Sequence, residues 1–147
     1  DANHQSGSDR IYEALSKFDP NFSYDLIINL QGDMPIFDPE VLQNLVSKIK
    51  SEDITTLVCK ANLDEISDPN VVKAVISWDK NDDDHGTALY FSRTQVPYNA
   101  LTYWHHIGIY AWRRDILEKF VKLKPSSLEK SEKDRRRGTS LYFGSNG

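Results

Sequence analysis

Asp33 stands near the end of Leu26-Ile27-Ile28-Asn29-Leu30-Gln31-Gly32-Asp33-Met34-Pro35, an apolar run broken by a glycine, a carboxylate and a proline. This is the pattern of a buried strand that delivers an acid to its carboxyl end, where open α/β sheets hold ligands and metals. A carboxylate in apolar surroundings is costly to leave unpaired, and a hard cation such as Mg²⁺ suits it. That ion takes one or two protein carboxylates and completes its shell with water and phosphate oxygens. The same aspartate would equally suit the cap of a turn or of the following helix. A second polar cluster, His4-Gln5-Ser6-Gly7-Ser8-Asp9-Arg10, lies directly before an amphipathic segment. Backbone N–H groups around Ser6 and Gly7, with the Arg10 guanidinium, could cradle an anion or nucleotide at a helix N-terminus. It is not a P-loop, because the GxxxxGK[ST] spacing is missing, and a plain capping turn is the alternative. Together the two clusters point to a metal and a phosphorylated substrate.

Three further polar residues sit among apolar neighbours: Arg93 after Tyr90-Phe91-Ser92, and His106 and Tyr110 in a segment ending at Trp112. An arginine there suits bidentate recognition of an acid substrate's carboxylate. An ordinary salt bridge for Arg93 and a satisfied core histidine for His106 are the alternatives. Two tempting signals fail. Asp79, Asn81 and Asp83 imitate a calcium loop, but Asp84 replaces the required glycine and Tyr90 the bidentate glutamate, so the run reads as a solvated turn. His105 and His106 are adjacent and face opposite sides of a strand, which disfavours a shared zinc.

The elements that must position these residues follow from periodicity. Ile11, Leu15 and Phe18 predict a helix over about Asp9 to Phe18, stopped by Asp19-Pro20, and Leu26 to Leu30 reads as a strand buried on both faces. Asp38-Pro39 opens a second helix with its stripe at Val41, Leu42, Leu45, Val46 and Ile49. Thr55 to Lys60 predicts a strand, and Asn70 to Trp78 and Thr87 to Ser92 a hairpin joined by a polar loop. His106 to Trp112 alternates as a strand, followed by a helix from about Arg114 to Val121. Interleaved strands and helices argue for an α/β fold with a mixed sheet.

The 147 residues carry a net charge of −4, with 39% hydrophobic and 27% charged residues, the composition of a globular protein with a real core. There is no broad basic face for nucleic acid, so an anionic ligand must be held by local arginines, backbone N–H groups or a cation. The single Cys59 cannot form an internal disulfide and no stretch approaches a membrane-spanning length, so no membrane insertion is expected and a reducing cytoplasm is the expected location.

Taken as a set and in order, HQSGSDR, INLQGDMP, DPNVVKAV, ALYFSR, VPY, HIGIYAWRR and PSSLEK resemble the 3-deoxy-manno-octulosonate cytidylyltransferases, or CMP-Kdo synthetases, of Gram-negative bacteria. The resemblance runs from about Asp1 to Lys130. It implies a nucleotide-diphospho-sugar transferase fold and transfer of CMP from CTP to the eight-carbon acid Kdo, giving CMP-Kdo and pyrophosphate for lipopolysaccharide synthesis. It further implies Asp33 as the catalytic, Mg²⁺-binding carboxylate, Gln31 and Arg93 on the Kdo side, and His106 and Tyr110 lining the sugar pocket. Ser6, Gly7 and Arg10 fall on the nucleotide side, and a homodimer is the assembly usual in such a family.

Departures accompany the matches. The family's opening strand and glycine- and basic-rich triphosphate loop do not precede Asp1, and Asp134-Arg135-Arg136-Arg137-Gly138 stands where a Glu- and Gln-bearing helix would continue. Met34 stands where many members have Glu. The expectation is a partial, truncated cytidylyltransferase domain over residues 1–130 with a divergent tail over 131–147, inactive alone. A cytidylyltransferase for another acidic sugar, and a non-catalytic remnant or interaction module, are the competing readings.

Overall fold

The computed structural model describes residues 7–30, 39–49 and 52–124. Ser6, Gln31 and Asp33, the Asp38 cap and the tail over 131–147 lie outside them. The described elements are helix α1 (Gly7–Phe18), strand β1 (Leu26–Asn29), α2 (Pro39–Lys48), β2 (Ile54–Lys60), α3 (Leu63–Ser67), β3 (Lys73–Trp78), β4 (Gly86–Ser92), β5 (Trp104–Arg113) and α4 (Arg114–Phe120). Strands pair in the order β1-β5-β3-β4, with β2 also on β5. β1 with β5, β3 with β4 and β3 with β5 are antiparallel. The α/β character expected from periodicity is therefore present, and these three pairings of the expected mixed sheet are antiparallel. Two compact units divide the chain, one drawn from Asp1–Leu57 and Gly108–Lys124, the other from Val58–Ile107.

In the first unit, β1 runs beside the last residues of β5 in the register Leu26↔Arg113 to Asn29↔Tyr110. Ile27, Leu45, Ile49, Ile109, Tyr110, Ala111, Trp112 and Leu117 form its core. Burying Ile109 and Leu117, which are 1% and 0% exposed, contributes roughly 1.5–3 kcal/mol each. The Trp112 ring packs on Phe120 of α4, with centroids 4.9 Å apart. Burial of β1 on both faces is not observed: only Ile27 is buried and Leu30 is 48% exposed. Leu30 follows the last ladder pair, Asn29↔Tyr110, so its side chain has left the sheet.

A buried ion pair closes this unit. Asp19, at the C-terminal end of α1, accepts from the backbone N–H groups of Ser23 (2.9 Å) and Tyr24 (3.0 Å) and from Arg114 Nη1. Arg114 also donates through Nη2 to the Asp19 carbonyl (3.0 Å) and through Nη1 to the Tyr24 carbonyl (3.2 Å). Its guanidinium lies 4.1 Å from the centroid of the Phe22 ring. Phe22 itself takes a left-handed φ of 58°, a conformation disfavoured for a bulky residue but held here by this contact and the Asp19 hydrogen bonds. The Asp19-Pro20 helix stop is thus also the anchor of the α1–β1 turn.

The second unit is built on the β3–β4 hairpin, registered from Lys73↔Ser92 to Trp78↔Gly86 with a bulge between Val75 and Ile76. Its connection is a set of side-chain-capped turns: Asn81 N–H donates to Asp79 Oδ1 (2.8 Å), Asp84 N–H to Asp82 Oδ1 (3.2 Å), and Asp79 N–H to the His85 carbonyl (2.9 Å). The calcium-like spacing is therefore turn chemistry, and among the described residues no three His, Cys, Asp or Glu side chains gather to hold a metal. Helix α3 was not expected from periodicity. It carries a reciprocal capping box, Glu65 N–H to Asn62 Oδ1 (3.0 Å) and Asn62 N–H to Glu65 Oε2 (2.9 Å).

The ligands of Asp19 hold its pKa down to about 2, the Ser23 N–H first, with burial opposing and the Tyr24 N–H and Arg114 adding to the depression. A depressed folded-state pKa contributes stability that is fully present above the unfolded value and is lost as pH falls from about 4 toward 2. Asp19→Asn should lower the melting temperature at neutral pH and flatten that acid limb; an unchanged limb would contradict the assignment. Gly86 is also testable, since a Cβ there would meet Ile76 Cγ2 at 2.7 Å and the Ser77 carbonyl at 2.8 Å. Gly86→Ala should destabilise the chain by about 1–3 kcal/mol in a denaturant titration, the usual cost of overpacking.

Candidate functional site

The second unit brings Arg93 and His106 to the two flanks of the start of β3. Lys73 of β3 is opposite Ser92 of β4 on one side and His105 of β5 on the other. One residue before β3, Val72 accepts at its carbonyl from the His106 N–H (2.8 Å), and Arg93 follows Ser92, the last residue of β4. His106 is thus held beside Val72, and Arg93 emerges on the other flank of β3 just past the last β3–β4 pair. With strands about 4.8 Å apart, Ser92 and His105, the partners of Lys73 on its two sides, are about 10 Å apart, and Arg93 and His106 are the next residues after them.

Each side chain is fixed differently. The His106 ring lies against Phe91, with centroids 4.7 Å apart, and burial, followed by the neighbouring His105, lowers its pKa to about 4. At neutral pH it is an uncharged imidazole, one donor and one acceptor. His105 takes the other side of the strand, its Nδ1 3.1 Å from Glu65 Oε1, as expected for adjacent strand residues. Arg93 spends Nη1 on two carbonyls, Pro69 (3.1 Å) and Asn70 (3.3 Å). The ordinary salt bridge open as an alternative from sequence is absent among the described residues, where no carboxylate pairs with it.

Tyr110 belongs to the first unit. It is 5% exposed, its ring centroid is 6.2 Å from that of Trp112, and burial raises its phenol pKa well above the ordinary value, so it stays protonated. Its ladder partner is Asn29, the last residue of β1, two positions in the chain before Gln31. On the anion side, Gly7 is the first residue of α1, and a Cβ added there would meet nothing within 4 Å. Arg10 lies one turn on and is exposed.

The first unit has a surface recess lined by Phe22, Asp25, Arg113, Arg114, Asp115 and Glu118. It contains none of the residues nominated from sequence. Its cations are already engaged: Arg113 pairs with Asp53 and Asp115 at 3.1 Å each, and Arg114 with Asp19. The recess is ion-pair scaffolding. Sequence reasoning missed Lys73, which is 0% exposed and donates from Nζ to the carbonyls of Asp68 (2.8 Å) and Val71 (2.7 Å). A lysine inside the alternating run Val71 to Ile76 was the available signal, because fully buried lysines are rare.

Comparison with known proteins supplies the family. The Cytidylyltransferase family model matches residues 1–140. The 3-deoxy-manno-octulosonate cytidylyltransferase of Paramagnetospirillum magneticum is 46% identical over 136 residues, covering 90% of this chain and 55% of that protein. The protein of the same name from Bartonella quintana is 47% identical over 135 residues, with the same two shares. Among solved structures, a CMP:2-keto-3-deoxy-manno-octonic acid synthetase complexed with CTP superposes with a TM-score of 0.73 at 33% identity, covering 89% of this chain and 53% of that one. The chain spans about half the length of the relatives it matches. With a family model matching nearly its whole length, the chain belongs to the cytidylyltransferase family.

Proposed function

We propose that the chain takes part in transfer of CMP from CTP to 3-deoxy-D-manno-octulosonate, and that it contributes the wall that holds the sugar acid. The observation that carries this reading is the placement of Arg93 and His106 on the two flanks of the start of β3, each the residue next to a ladder partner of Lys73. A guanidinium and a neutral imidazole on the two flanks of one strand suit a substrate with a carboxylate beside hydroxyl groups. The relatives' printed names and the CTP in the matched synthetase structure support the substrate pair.

In this reaction the sugar's anomeric hydroxyl oxygen forms a bond to the α-phosphorus of CTP. The bond from that phosphorus to the β-phosphate bridging oxygen breaks, pyrophosphate leaves, and the hydroxyl proton passes to solvent. The protein's work is positioning and charge neutralisation. Arg93 would hold the carboxylate and neutral His106 would bond a sugar hydroxyl; roles for Tyr110 and Gln31 toward the sugar are implied by the family resemblance. Ser6, Gly7 and Arg10 would serve the nucleotide. Asp33 would hold Mg²⁺, for which a single carboxylate is an adequate protein ligand, and the bound ion would supply charge neutralisation at the phosphates. A homodimer and a cytoplasmic location complete the proposal; no described helix is long and apolar enough to cross a membrane.

Calorimetric titration with the sugar acid tests the wall. Arg93→Met should weaken binding by about tenfold or more while the fold persists, since a hydrogen bond to a charged group contributes roughly 1.5–3 kcal/mol. Equal binding by the variant would refute it. Adding CTP and Mg²⁺ should then release pyrophosphate in proportion to the acid, and Asp33→Ala should abolish the release. Acid binding without any release would remove the catalytic step from the 147-residue chain and retain the wall.

His106 provides a pH test. Its folded-state pKa of about 4 lies below the ordinary 6.5, so the unfolded chain binds more protons between those values and stability falls as pH drops from 6.5 toward 4. In a ¹³C-resolved NMR titration its ring should protonate near pH 4, and His106→Asn should remove that share of the pH dependence. A midpoint near 6.5 would contradict the half-buried, neutral state.

A further inference from the structure

The loop before β3 presents four consecutive backbone carbonyls to two cations. Lys73 Nζ takes the outer pair, Asp68 at 2.8 Å and Val71 at 2.7 Å. Arg93 Nη1 takes the inner pair, Pro69 at 3.1 Å and Asn70 at 3.3 Å. The turn is closed further by Val71 N–H to the Asp68 carbonyl (3.2 Å) and Asn70 N–H to Asp68 Oδ1 (2.7 Å). Lys73 is entirely removed from solvent, whereas Arg93 is half-buried at the mouth of the hairpin. Lys73 also sits directly opposite Ser92, the residue before Arg93, so the two cations reach one loop from neighbouring strands.

An ammonium without access to water must keep its hydrogen-bond partners, because losing them leaves a buried charge uncompensated. Lys73 therefore fixes the direction of the Asp68 and Val71 carbonyls, and with only two residues between them the Pro69 and Asn70 carbonyls have little freedom. Both hydrogens of Arg93 Nη1 are consumed by that inner pair. A guanidinium bonds carboxylates in the bidentate manner along either of two edges, and the edge that includes Nη1 is occupied. The edge formed by Nε and Nη2 is left to face a ligand.

We infer that Lys73 is a positioning residue for the sugar acid: through the four-carbonyl loop Asp68–Val71 it orients Arg93 so that the Nε/Nη2 edge meets the carboxylate. The identity of the ligand rests on the proposed cytidylyltransferase function; the orientation of Arg93 does not. The inference explains why a lysine occupies a wholly buried place where methionine would fill similar volume without a charge to satisfy. Pro69 belongs to the same device, since its fixed φ limits the loop on the side facing Arg93.

The test uses the whole chain with two variants, Lys73→Met and Pro69→Gly, the second leaving the buried site untouched should the first fail to fold. Circular dichroism melting establishes that each is folded. Without ligand, the heteronuclear NOE of the Arg93 ¹⁵Nε should be as high as that of ordered backbone in the wild type, and should collapse toward mobile side-chain values in the variants. Titration with 3-deoxy-D-manno-octulosonate and with its C1 carboxamide then separates orientation from general damage. The variants should bind the acid about tenfold more weakly, the scale of re-immobilising one long side chain, with the carboxamide unaffected. Folded variants that keep the Arg93 signal and the acid preference overturn the inference, as does equal weakening toward both ligands. A wild type that binds neither ligand would refute the proposed function, and the Arg93 signal would still decide whether Lys73 orients it.

Discussion

A charge taken out of water must be met by partners that stay in place, and in each unit one such charge determines how the neighbouring backbone runs. In the first unit it is the Arg114–Asp19 pair, which ties the end of α1, the left-handed turn at Phe22 and the start of α4 into one hydrogen-bonded knot. In the second it is Lys73, whose ammonium organises the loop before β3. Replacing either member of the Arg114–Asp19 pair alone would leave the other charge stranded, even though a buried ion pair adds little net stability over a well-packed apolar substitute.

The candidate acid wall is a consequence of the second arrangement. β3 sits between β4 and β5, so its first residues carry on their flanks whatever the ends of those two strands present. The ends present a guanidinium and a desolvated imidazole. One is pinned by backbone carbonyls and the other by the face of Phe91, so little side-chain freedom remains to be lost on binding. For the proposed transfer, in which the protein would chiefly position two substrates and neutralise charge, such rigidity is the relevant property.

Much of this was legible in the sequence wherever periodicity or turn chemistry was strong. Helices α1, α2 and α4 and strands β2 to β5 fall where apolar spacing places them, and the polar run at Asp79 to Gly86 closes a hairpin as its Asx-rich composition requires. Helix α3 escaped because five residues are too few for a periodic stripe, although Asn62 and Glu65 carried the capping-box spacing. The burial of β1 was overestimated, since an apolar run does not reveal where the ladder stops. Arg93 and His106 could be nominated individually, but their placement on either side of β3 depends on a register set by long-range pairing, which single-sequence spacing does not encode. Arg114, Asp19 and Lys73 were missed as structural centres because a charged residue's burial is decided by partners distant in the chain. Gln31, Asp33 and Ser6 lie outside the described residues.

A crystal structure of the chain with 3-deoxy-D-manno-octulosonate bound would test the central claim most directly. The account predicts the sugar's carboxylate on the Nε and Nη2 atoms of Arg93, with Nη1 still bonded to the Pro69 and Asn70 carbonyls and a sugar hydroxyl on the His106 ring. A sugar acid seated elsewhere, with Arg93 and His106 untouched, would contradict it.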